Sequence, residues 1–128
     1  MARILIAEDE EPLRTLIKRG LAEEGHSVVA TADGAEALDA LQGQGPDRGG
    51  GFDLLLADIK MPVMDGIALA LAVARDFPQL PILLMTGYAD QRERVSGLEA
   101  LICDVISKPF ALAEIKFAVA SALAKGKR

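Results

Sequence analysis

Apolar positions follow two patterns along the 128 residues, and the two patterns alternate. Short unbroken runs occur at residues 3–7 (RILIA), 26–31 (HSVVAT), 54–57 (LLLA), 81–86 (PILLMT) and 100–106 (ALICDVI). Between them, apolar residues recur at helical spacing. The sets are Leu13, Leu16, Ile17 and Leu21; Ala37, Leu38 and Leu41; Leu69, Ala70, Val73 and Phe77; and Leu112, Ile115, Val119 and Leu123. A short apolar run closed by a turn signal reads as a strand buried on both faces, the kind found in parallel sheets. The punctuation agrees. Pro12 falls in a first helical turn, where its missing N–H costs nothing. Gly25 is placed just past a helix end, and Asp33 can cap a helix starting near Gly34. A third helix opens near Gly66 and is closed off by Pro78 and Pro81. Residues 90–98 read as a short, polar helix with few apolar anchors, expected to be mobile and to form part of a partner surface. Five strands alternating with five helices specify an α/β fold, a doubly wound parallel sheet covered on both faces. Right-handed crossovers give the expected strand order 2-1-3-4-5.

Composition adds boundaries rather than new elements. The pattern fills one domain, residues 1–124, followed by a basic tail at 125–128. No apolar run approaches the roughly 20 residues of a membrane span, and the acidic start MARILIAEDE does not resemble a signal peptide. Cys103 is the one cysteine, so no internal disulfide can form, and a cytoplasmic setting is expected. Cys103 itself reads as a small core residue of the fifth strand. A net charge of −5 argues against nucleic acid as a partner. Residues 42–51 hold five of the 12 glycines and read as a surface loop. A phosphate-cradling loop would need a following Lys-Ser/Thr and a helix start, and neither is present. His26 opens a strand and is expected to be solvated, with no four-helix setting for a phosphorelay histidine.

The chemistry lies at the carboxyl ends of the strands, where ligands bind in such sheets. The first strand ends in Glu8 and Asp9, the third in Asp58, the fourth in Thr86 and the fifth in Lys108. Taken singly, each has an ordinary explanation: acids suit a helix N-terminus, and Asp58 could be a turn residue. Taken together on one rim, they read as a site. Clustered carboxylates repel unless a cation sits among them, and such oxygen ligands suit Mg²⁺. A carboxylate can act as nucleophile toward phosphorus, and a Lys and a Thr hydroxyl can hold phosphoryl oxygens. Asp58 is therefore expected to accept a phosphoryl group. Two other functions share this chemistry. An aspartyl-nucleophile phosphatase would want a second acid two residues on, where Lys60 stands, and a pure binding module would leave the acids vestigial.

These residues resemble the receiver domain of two-component response regulators, the CheY-like, flavodoxin-like fold. The resemblance runs from Arg3 to about Leu123 and rests on Glu8-Asp9, Asp58 with MPVMDG after it, Thr86-Gly87 and Lys108-Pro109-Phe110. It implies that Asp58 accepts phosphate from the phosphohistidine of a histidine kinase or phosphotransferase. It implies Mg²⁺ held by Asp9, Asp58 and the backbone carbonyl of Lys60, with Glu8 holding a metal-bound water. Thr86 and Lys108 would bind the phosphoryl oxygens, and the Lys108–Pro109 bond would be cis. A downstream protein would bind the face made by the fourth helix, fifth strand and fifth helix. The wording is most similar to stand-alone regulators of the CpdR kind. Two departures stand out. The first acid is Glu rather than Asp, and Val105 occupies a position where the family often has an aromatic switch. Tyr88 is a candidate replacement in signalling. Lys60 and Tyr88 flank the expected path of a hydrolytic water, so slow self-dephosphorylation is expected.

Overall fold

The computed structural model describes residues 2–43, 51–87 and 95–125. Five strands form one parallel sheet: β1 (Arg3–Ala7), β2 (Ser27–Thr31), β3 (Leu54–Asp58), β4 (Ile82–Thr86) and β5 (Asp104–Ser107). Their order is β2-β1-β3-β4-β5, as the crossover rule requires. Among the described residues there are four helices: α1 (Glu11–Glu23), α2 (Gly34–Leu41), α3 (Gly66–Asp76) and α4 (Leu112–Lys125). The expected helix over 90–98 falls mainly outside the described residues. Of its described part, Val95 is buried and Leu98 packs on the core. The expected loop at 42–51 and the basic tail also lie largely outside them.

The alternation of the strands divides the core in two. Leu5, Ala7, Leu55, Ala57, Ile82 and Leu84 face one way, under Ala37 and Ala40 of α2 and Leu69, Ala70 and Val73 of α3. Ile4, Ile6, Leu54, Leu56, Leu83 and Met85 face the other way, under Ile17 and Leu21 of α1 and Ile115, Val119 and Ala122 of α4. Successive side chains of a strand point to opposite faces, so a continuous apolar run supplies both cores at once. Each fully buried Leu or Ile contributes about 1.5–3 kcal/mol of transfer free energy. The rigid layer so formed fixes where the strand ends stand.

Local signals set the helix limits. Asp33 Oδ1 accepts from the Glu36 amide at 2.9 Å, and Asp65 Oδ1 accepts from the Ala68 amide at 2.8 Å. Both are N-cap bonds that satisfy an otherwise orphaned donor. Gly25 follows α1 with φ +93, the left-handed conformation that ends many helices. No helix among the described residues is long and apolar enough to cross a membrane.

Four details differ from the sequence reading. Leu16 is 49% exposed, because the buried stripe of α1 runs through Ile17, Gly20 and Leu21. Strand β5 starts at Asp104, not residue 100. The apolar residues before it form a turn closed by Leu101 N–H donating to the Leu98 carbonyl at 2.8 Å, and of them Ile102 packs against the core. Cys103 consequently lies just before the strand and is exposed, not a core residue. His26 is half-buried instead of solvated, and its Nδ1 accepts from the Ala2 amide at 3.1 Å.

Candidate functional site

The site is built where β1, β3, β4 and β5 leave the core on the same rim. Glu8 follows β1, and its N–H donates to the Thr31 carbonyl of β2 at 3.0 Å. That bond turns the Glu8 side chain inward, where it is fully buried. Glu8 Oε2 accepts from the Glu10 amide at 3.0 Å, and Arg14 Nη1 donates to the Glu8 carbonyl at 2.9 Å. Asp9, the next residue, is exposed. Asp58 is the last residue of β3 and is 4% exposed. After it, Ile59 N–H donates to the Met85 carbonyl at 3.0 Å, and Gly66 N–H returns to the Ile59 carbonyl at 2.8 Å. The loop thereby closes over the strand end. A Cβ at Gly66 would overlap the Asp58 carbonyl oxygen, so the close approach requires glycine. Thr86 ends β4 and is buried. Its carbonyl accepts from the Lys108 amide at 2.7 Å, which ties the start of the Lys108 side chain to the neighbouring strand end.

Lys108 reaches across this rim. Its Nζ lies 2.9 Å from Asp58 Oδ2, 3.3 Å from Glu8 Oε1 and 3.7 Å from Glu10 Oε1. Carboxylate oxygens of Glu8, Asp9 and Asp58 all lie within 4.8 Å of one another. A cavity of about 660 Å³ opens onto the group, lined by Asp9, Glu10, Asp58, Lys60, Lys108 and Phe110 among others. A larger cavity, about 860 Å³, is lined by His26, Phe52, Phe77 and their neighbours at the opposite end of the sheet, away from these carboxylates.

The structure thus brings Glu8, Asp9, Asp58 and Lys108 together and places Thr86 on the adjacent strand end. Lys60 is exposed at the cavity wall, and Val105 is half-buried on β5. The Lys108–Pro109 peptide bond is cis. Tyr88 lies outside the described residues. Two contributors escaped the sequence reading, Glu10 and Arg14. The acidic run from Glu8 to Glu11 marked the first, but no spacing rule shows which of its members face the strand ends.

Electrostatics follow from burial. Desolvation pushes Glu8 up from 4.5 to about 7; the Asp58 charge adds to this, while the Glu10 amide and Lys108 oppose it. Asp58 is also raised, chiefly by burial and less by Asp9, against the Lys108 hydrogen bond and charge. Burial pulls Lys108 down, but the hydrogen bond and charge of Asp58, then Glu8, outweigh it and leave Lys108 raised. Three carboxylates beside one ammonium leave a net negative pocket. Hard, close-set oxygens with excess charge fit Mg²⁺, which takes carboxylates and keeps several waters. Neutralising them would relieve the cost that raises Glu8.

A carboxyl that holds its proton more tightly in the fold than in the unfolded chain stabilises the fold when protonated. That stability is present below pH 4.5 and is lost as pH rises through about 7. The shift corresponds to about 3 kcal/mol at most. We therefore expect metal-free protein to lose stability between pH 5 and pH 8, and Mg²⁺ to restore several degrees of melting temperature at pH 8 but far less at pH 5. The chain has no tryptophan, so circular dichroism or calorimetry is the suitable readout. A Mg²⁺ response equal at both pH values would contradict this account.

A family model described as the response regulator receiver domain matches residues 4–120. The response regulator MprA of Mycobacterium avium (strain 104) is 37% identical over 113 residues, covering 88% of this chain and 47% of MprA. The transcriptional regulatory protein TcrA of Mycobacterium tuberculosis (strain ATCC 25618 / H37Rv) is 35% identical over 113 residues, covering 88% of this chain and 42% of TcrA. The chain spans about half the length, or less, of these curated relatives. A CheY-like receiver domain protein from Methanospirillum hungatei JF-1 superposes with TM-score 0.86 at 28% identity, covering 98% of this chain and 95% of that one. The response regulator protein TrrA from Thermotoga maritima, solved in complex with Mg²⁺ and BeF, superposes with TM-score 0.81 at 30% identity, covering 94% and 98%. Sheet order, strand-end carboxylates and sequence agree, and the chain belongs to the response regulator receiver domain family, whose members signal through phosphorylation.

Proposed function

We propose that Asp58 accepts a phosphoryl group from the phosphohistidine of a histidine kinase or phosphotransferase, and that its occupancy switches binding to a protein partner. The observation that carries this is Lys108 Nζ at 2.9 Å from Asp58 Oδ2, with the Glu8, Asp9 and Asp58 oxygens within 4.8 Å of one another. The transfer forms an oxygen–phosphorus bond at Asp58 as the donor's nitrogen–phosphorus bond breaks, and Asp58 needs no proton for it. Asp9, Asp58 and the Lys60 carbonyl would hold Mg²⁺, with Glu8 acting through water. The ion would supply charge neutralisation to the transferring group. Lys108 exchanges carboxylate partners for a phosphoryl oxygen, and the Thr86 hydroxyl takes another. Phosphoryl transfer asks mainly for such positioning. The complex of TrrA with Mg²⁺ and BeF supports this reading of the shared pocket.

The partner surface we assign is the face of β5 and α4. A groove of about 600 Å³ there is lined by Val105, Pro109 and Ala118, with Phe117 beside it 77% exposed. Thr86 pairs with Ser107 of β5, so a displacement at Thr86 reaches this face across one ladder step. Val105 has no ring to swing inward, so at this position the change is carried by backbone and by Lys108 rather than by an aromatic rotamer. Lys60, at the cavity wall, obstructs a hydrolytic water and favours a long-lived phosphorylated form.

Incubation with acetyl phosphate and Mg²⁺, followed by a phosphate-affinity gel, tests the proposal. Wild type is expected to shift, and Asp58→Asn to lose the shift entirely. A shifted Asp58→Asn band would move the acceptor elsewhere and end this reading.

A further inference from the structure

Glu10 is the N-cap residue of α1, with φ −82 and ψ 111, yet its side chain makes no capping hydrogen bond. Serine, threonine, aspartate and asparagine are the usual residues there, because their short oxygens reach the orphaned amides. Glu10 Oε1 lies instead 3.7 Å from Lys108 Nζ, with the side chain 67% exposed. It lines the same cavity as Asp58 and Lys60. Lys108 is already engaged by Asp58 at 2.9 Å and by Glu8 at 3.3 Å, inside the pocket. The Glu10 charge therefore stands outside that pair, at the mouth. A phosphoryl group that enters this cavity and engages Lys108 does so beside the Glu10 charge.

We propose that Glu10 is a specificity-determining residue, a fixed negative charge at the site mouth that selects phosphoryl donors by their net charge. It slows dianionic small-molecule donors more than less charged ones. The proposal rests on reading Asp58 as the acceptor. Repulsion between a fixed charge and a donor scales with donor charge and is screened by salt. A donor-dependent, salt-dependent rate is therefore its signature, and loss of helix capping would produce neither.

The test uses the full chain with Mg²⁺ and two donors. Acetyl phosphate is a dianion; its phosphorus–oxygen bond breaks and acetate leaves as the anion. Phosphoramidate carries one net negative charge less; its phosphorus–nitrogen bond breaks and ammonia leaves. Neither transfer to the ionised Asp58 requires a proton. At low ionic strength, Glu10→Gln should raise the rate with acetyl phosphate roughly five- to tenfold and with phosphoramidate roughly two- to threefold. The gap should narrow at about 0.5 M salt. Glu10→Ser restores an ordinary cap and should match Glu10→Gln. Glu11→Gln removes the same charge one residue along, on an exposed side chain that does not line the cavity, and should leave both rates unchanged. Equal acceleration with both donors, no acceleration, or the same response from Glu11→Gln would overturn the proposal while Asp58 phosphorylation stands. Wild type that takes phosphate from neither donor would sink the functional reading, and this proposal with it.

Discussion

Lys108→Met is expected to lower stability by about 3 kcal/mol at pH 8, the range seen when one partner of a largely buried pair is removed. At pH 5 the loss should fall to about 1 kcal/mol, because Glu8, raised to about 7, is then protonated and no longer needs a cation. The cause is geometric. Lys108 Nζ contacts Asp58, Glu8 and Glu10 together, and its side chain is only 20% exposed. Methionine keeps the length and removes the charge. Denaturant unfolding followed by circular dichroism at the two pH values measures it. Glu8→Gln should recover much of the loss at pH 8, so the double variant departs from additivity. A pH-independent loss would mean that Lys108 stabilises through packing alone, and the electrostatic account of the pocket would fail.

Gly66→Ala is expected to destabilise the protein by about 3 kcal/mol or more, the scale of a steric clash that only backbone movement can relieve. The added methyl meets the Asp58 carbonyl oxygen and the Ile59 backbone, neither of which is a flexible side-chain end. Relief must come from shifting the loop away from β3, which also displaces Asp58. Phosphorylation should therefore fall together with melting temperature. Gly51→Ala is the matching control, since nothing lies within 4 Å of a Cβ there. It should leave stability within about 0.5 kcal/mol of wild type, as surface changes usually do. If Gly66→Ala folds with unchanged stability, the tight return of the loop over Asp58 is not what holds the acceptor in place.

Much of this was legible in one dimension. The apolar runs at 54–57 and 81–86 could only be strands buried on both faces. Asp33 marked the start of α2, Gly66 the start of α3 and Pro78 its end, because capping and ring closure act within a few residues. Once the sheet order followed from handedness, Glu8, Asp9, Asp58, Thr86 and Lys108 had to share a rim. What was not legible depends on contacts between distant segments. The sequence 100–103 is as apolar as a strand, and only the turn into β5 shows that it is not one. Leu16 fits the helical period as well as Ile17 does, and the angle at which α1 lies on the sheet decides between them. The need for glycine at 66 comes from a carbonyl eight residues earlier, which no local rule reveals. Glu10 and Glu11 are equivalent on paper, and only the direction in which α1 leaves β1 turns one of them toward Lys108.

The exposure of Cys103 has a practical consequence. It is the sole thiol in the chain, and it precedes β5 at the end of the sheet away from Asp58. A maleimide dye would attach at one defined point, clear of the acidic pocket. Such a conjugate would let the edge of β5 be followed by fluorescence in real time without redesigning the molecule.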